Sequence, residues 1–225
     1  MDLTQKIELI EKDENSSLND KIDLVLILAG EKPATKFLIA DTYMDAYNKR
    51  RMKEVASLFA ELEMLYEIND KFNHPMFIGF VYVGKYQENF DKIVNASTHQ
   101  EYGICHGFPD TAIKACIDKS KRFNGSEIER IEQMGLDMPY EKLKPFMQFT
   151  KSDKYFEEEV LSTSVRWHDA IEKLSPHIYS QIKANSCICK APYDPTFDDI
   201  NSKIDFWYIP LITIYFTRHL VRAFH

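Results

Sequence analysis

The segment His99-Gln100-Glu101-Tyr102-Gly103-Ile104-Cys105-His106-Gly107-Phe108-Pro109-Asp110-Thr111 concentrates the residue types that do chemistry. It holds two imidazoles, a thiol, two carboxylates and two of the chain's seven glycines. A helix over about 98–106 places His99 and His106, seven residues apart, on one face. Gly107 can take the left-handed conformation that ends such a helix. Pro109 then opens the next one, with Asp110 and Thr111 in its first turn, where exposed amides favour a negative side chain. Helix–turn–helix geometry therefore explains Gly107, Pro109 and Asp110 without a ligand. The functional alternative is a ligand site at this turn, built from His99, His106, Gly107, Asp110 and Thr111, whose free amides attract an anion. A catalytic version uses Cys105 or His106 with His99 and Glu101, with or without a metal. Spacing argues against the metal. Seven residues separate two ligands by about 10 Å along a helix, whereas zinc motifs set them three or four apart.

The other candidates are plainer. Cys187-Ile188-Cys189 offers two thiols one residue apart, but no second cysteine or histidine pair lies near to complete a metal site. Small apolar residues at a helix end are the simpler reading. Asn48-Lys49-Arg50-Arg51-Met52-Lys53 is the densest basic cluster, on a helix whose opposite face is apolar, so it reads as a solvated face. Lys114, Lys119, Lys121 and Arg122 form a second such group without the aromatic residues of an RNA motif. His168 and Asp169 are sequence neighbours and are not expected to face one another. Glu157, Glu158 and Glu159 fall in the first turn of the helix that carries them and complement its dipole. No GxGxxG, P-loop, GxSxG, HExxH or EF-hand spacing occurs, and no cofactor is named by the sequence.

Two stretches resemble an uncharacterised, mainly archaeal family. Tyr102–Ile113 is similar to its Gly-x-x-x-Gly-[Tyr/Phe]-Pro segment, here Gly103 to Pro109. Pro145–Ser152 is similar to its later Pro-Phe … Phe-x-Pro-Cys segment, with the helix through Trp167 following. The resemblance places the family's cysteine pair on Asp110 and Thr111, and its later cysteine on Ser152. It implies that any metal or redox role of those cysteines is absent from this chain.

The elements that must hold these residues follow from patterning. Helices are expected over 4–11, 18–29 (capped by Ser17, stopped by Gly30) and 44–64, where Met52, Val55, Leu58, Phe59 and Leu62 share a face. Leu65–Ile68 reads as a strand, and Phe37–Ala40 as a strand or further helix. Met76–Val83 is rich in aromatic and β-branched residues, the strongest strand signal in the chain. Beyond Gly84 the pattern is helical, at about 86–95, 98–106, 109–122, 126–134, 154–173, 176–187 and 207–224. Ser126 with Glu129 spells a capping box, Gly135 a stop, and Pro176 a helix start. The expected fold is α+β and helix-rich, with α/β as the variant. A small sheet in an N-terminal part, about 1–95, packs against a mainly helical part, about 96–225, within one domain. The aromatic run from Phe206 to Phe216 is too short to span a membrane and reads as a buried helix, or else a strand.

Composition bounds the rest. With 225 residues and 44% hydrophobic content, folding buries roughly 70% of the unfolded chain's surface, enough for a core without disulfides. The 28 basic and 35 acidic residues give a net charge of −7, which weighs against nucleic acid. The acidic start lacks a signal peptide's pattern, and four scattered cysteines fit a reducing compartment, so a cytoplasmic chain is expected. The leading expectation is a non-catalytic domain that binds a small molecule or protein at the His106–Thr111 turn. The alternatives are the Cys/His enzyme at 99–111 and a homo-oligomeric assembly protein with its C-terminal helix between subunits.

Overall fold

The run Leu18–Ala29 is apolar on almost every side, and a helix of that kind is stable only when surrounded. The structure, a computed structural model, describes residues 1–40, 46–69 and 79–186, all within one compact unit, Met1–Ser186. Helix α1 (Leu3–Lys12) precedes α2 (Leu18–Ala29), which starts on a reciprocal cap between Ser17 and Asp20 and stops at left-handed Gly30. Ile22 and Leu24 to Leu28 are all buried, because α2 touches α1, strand β1 (Ala34–Ala40), and the two helices α10 (Arg166–Leu174) and α11 (Pro176–Ser186).

Phe37–Ala40 thus belongs to a strand rather than a helix. Helix α3 (Ala46–Glu61) follows, then β2 (Leu65–Asn69) and β3 (Gly79–Gly84). The sheet is antiparallel with order β1-β3-β2, so the class is α+β rather than α/β. Register sets Thr35 opposite Val83 and Phe37 opposite Val81. Strand alternation then sorts the faces. Phe37, Val81 and Val83 join the main core with α2 and α3, whereas Ala34 and Tyr82 turn to a smaller cluster with Ile93 and Cys105. Thr35, on the main-core face, looks toward α2.

After β3 the described chain is helical: α4 (Gln87–Asn95), α5 (His99–Cys105), α6 (Asp110–Ile117), α7 (Glu127–Gln133), the short α8 (Tyr140–Leu143) and α9 (Phe156–Glu159). Helix α6 ends five residues earlier than its pattern promises, because the Asp118 side chain accepts from Ser120 N–H and starts a tight 3₁₀ turn instead. Ser126 accepts from Glu129 N–H at the start of α7, one half of the expected capping box. The expected helix over 154–173 exists as one stretch, with a π-helical turn over Val160–Val165 between α9 and α10. Periodicity does not register such a turn, since it adds one residue to a pattern that stays helical. No helix among the described residues is long and apolar enough to cross a membrane. The expected helix at 207–224 and the Cys187–Cys189 pair lie outside the described residues.

Candidate functional site

Helix α5 begins on Thr98, whose side chain accepts from Glu101 N–H while the Glu101 carboxylate accepts from the amides of Ser97 (2.8 Å) and Thr98 (2.9 Å). Those bonds hold the Glu101 carboxyl below its usual range. Its negative charge is spent on the helix end, away from the turn at His106. At the other end Gly107 has φ +72°, and a Cβ there would sit 3.0 Å from Pro33 Cδ. Gly103 lies so close to Ile113 that a Cβ would meet its side chain at 2.9 Å. The two glycines let α5 fold back on α6 and press the turn against the loop Glu31–Pro33.

That approach delivers His106 to β1. Its Nδ1 lies 3.1 Å from Thr35 Oγ1, and Thr35 donates its one hydroxyl hydrogen to Asp23 Oδ2 at 2.9 Å. The Thr35 oxygen must therefore accept from His106, which fixes the proton on Nδ1 and leaves Nε2 as a lone-pair acceptor. Asp23 uses its other oxygen to pair with Lys32, which is 3% exposed. The Lys32 ammonium lies 4.6 Å from the centre of the Trp167 ring and 5.9 Å from that of Phe108. Phe108 stacks on His106 with centroids 5.5 Å apart and packs against Phe149 and Trp167. Burial and the nearby Lys32, opposed by Asp23, push the His106 pKa down to about 3. The imidazole is neutral at pH 7.

Of the turn's sequence candidates, only His106 and Gly107 stand in this group. His99 is exposed at the start of α5, and Asp110 is exposed in the first turn of α6. Cys105 faces the smaller cluster with Ala34, Tyr82 and Ile93, where burial pushes its thiol up. Thr111 turns to Glu159, donating its hydroxyl to one carboxylate oxygen, while Ser152 N–H donates to the other at 2.9 Å. Glu157, Glu158 and Glu159 stand in the first turn of α9 as expected, but Glu159 is buried, and burial raises its pKa. The expectation for His168 and Asp169 also needs correction, because Nδ1 of the first lies 2.8 Å from Oδ1 of the second. Adjacent helical positions diverge by about 100°, yet Nδ1 is the ring nitrogen nearest the backbone and a short aspartate can swing to it.

Asp23, Lys32, Thr35, Phe108 and Trp167 were not legible as site residues. Asp23 is the last charge before the apolar run Leu24–Ala29 of α2, a local hint of a buried partner. No family model matches the chain, and no curated protein or solved structure matches it.

The neutral imidazole has a thermodynamic consequence. A base whose folded pKa lies below its unfolded value stabilises the fold while neutral, so stability is lost as pH falls from about 6.5 toward about 3. The slope from this residue is at most about 1.4 kcal/mol per pH unit. His106→Asn keeps a donor at the Nδ1 position and does not titrate. Urea midpoints measured from pH 7 to pH 4 should fall less steeply for this variant; equal slopes would mean that His106 charges freely in the folded chain.

Proposed function

We propose that the chain is a non-catalytic ligand-binding domain, with its site at the turn between α5 and α6 and His106 Nε2 as the polar anchor. The observation that carries this reading is the Asp23–Thr35–His106 chain, which holds a neutral imidazole in one tautomer with Nε2 free of any described protein partner. A ligand suited to it presents an N–H or O–H donor to Nε2 and an apolar face to the aromatic group around Phe108. The enzyme alternative fares worse on the same atoms. A general base works best with a pKa near the operating pH, and about 3 is far below it. The Cys105 thiol is moved away from thiolate, and the Glu101 carboxylate is engaged at its helix end.

Native mass spectrometry of the full chain, purified from its expression host beside His106→Ala, tests the reading. A small molecule retained by the wild type and absent from the variant is the expected result. A bare wild-type chain, or the same adduct on both, would sink it.

A further inference from the structure

One residue beyond Trp167, His168 is 1% exposed and both its nitrogens are engaged. Nδ1 lies 2.8 Å from Asp169 Oδ1, and Nε2 lies 2.8 Å from the Tyr179 hydroxyl. Phe146 and Tyr179 pack edge-on around the ring, at 5.7 and 5.1 Å between centroids. In the tautomer that donates Nε2–H to the Tyr179 hydroxyl, the Nδ1 lone pair faces the Asp169 carboxylate, the arrangement a metal at Nδ1 requires.

We propose that His168, Asp169 and Glu172 bind a divalent first-row transition metal. Their ligand atoms all lie within 4.8 Å of one another. His168 and Glu172 are four residues apart on α10, and Asp169 and Glu172 three apart, the spacings that bring helical side chains together. One imidazole nitrogen and two carboxylate oxygens are a borderline donor set of the kind zinc or manganese takes. Metal–ligand bonds of about 2.0–2.1 Å in a tetrahedron set neighbouring donors about 3.3 Å apart, so Nδ1 and Asp169 Oδ1, now 2.8 Å apart, need separate by only about half an ångström. The ion takes the place of the proton between Nδ1 and Asp169 Oδ1, and the two carboxylates neutralise its charge. Asp169 and Glu172 are exposed, so the outward positions of the ion are open to water. Tyr179 is a positioning residue: it holds Nε2–H and so directs the Nδ1 lone pair to the ion. Lys183, whose ammonium lies 4.2 Å from the centre of the Tyr179 ring, is the cation the ion must tolerate nearby.

The test is a zinc titration of the full chain against a chromophoric chelator, repeated with cobalt to read ligand-field absorption. Other histidines and cysteines can take zinc, so the difference between variants decides. Asp169→Asn and Glu172→Gln alter exposed side chains and should leave the metal-free melting temperature within about 2 °C. Each should weaken one equivalent of zinc at least about tenfold, and Tyr179→Phe by about 10- to 100-fold. Zinc should raise the melting temperature of the wild type and not that of Glu172→Gln. Equal zinc stoichiometry and affinity in wild type and Glu172→Gln, or no zinc bound by the wild type below about 100 µM, overturns the proposal. The readout does not depend on His106, so this site and the one at the α5–α6 turn stand or fall separately.

Discussion

Asp23→Ala should lower the melting temperature by roughly 6–20 °C. Lys32 is 3% exposed and its ammonium is paired with Asp23, which also accepts from Thr35. Deleting the carboxylate leaves a buried cation without its counter-ion, at a cost of about 3–5 kcal/mol. For a chain of this size each kcal/mol moves the midpoint by about 2–4 °C. The aromatic faces of Trp167 and Phe108 offset part of that cost, so the lower end of the range corresponds to effective cation–π relief. Removing both charges is different. Asp23→Leu with Lys32→Met replaces an ion pair by apolar side chains and should recover most of the loss, because pair and apolar substitute are close in energy. Thermal melts of wild type, both single variants and the double variant close the cycle. A single variant that melts within about 2 °C of wild type would show that Lys32 reaches water and that the pair is a surface one.

Glu159→Ala is the second large effect, about 2–6 kcal/mol. The substitution strands the buried Ser152 N–H and the Thr111 hydroxyl, and each unsatisfied group costs about 1–3 kcal/mol. The pH dependence has the opposite sign to that of His106. Burial raises the folded pKa of Glu159, so its contribution is fully present below the unfolded value of about 4.3 and is lost as pH rises through the folded pKa. Glu159→Gln keeps an acceptor for Ser152 without that titration. It should therefore compare more favourably with wild type at pH 7 than at pH 4 when urea midpoints are measured at both. The same difference at the two pH values would mean that Glu159 ionises as readily folded as unfolded.

The His106 turn illustrates how far local pattern carries. Gly107, Pro109 and Asp110 announce a helix stop and restart, and the turn has that form. Glu101 shows the limit. As a carboxylate beside a thiol and an imidazole it resembled a catalytic group, although Thr98 with Glu101 also spells a reciprocal cap, and the cap is what forms. The i, i+4 spacing of His168 and Glu172 is as visible in the sequence as the adjacent pair His168-Asp169, and it puts both side chains on one face of α10.

What the sequence by itself determined is local: where α2, α5 and α7 begin and end, that strands precede Gly84 and helices follow, and that the class is α+β. These features depend on caps, left-handed glycines and hydrophobic period, all of which act within a few residues. The partners of His106 and Glu159 were decided only by tertiary structure. Thr35 is 71 residues from His106, and Thr111 is 48 from Glu159. A charge or hydroxyl carries no mark of which distant segment will pack on it. Burial makes it costly to leave unpaired, so the packing of α2, β1 and the α5–α6 turn selects the partner, and with it the proton position on His106.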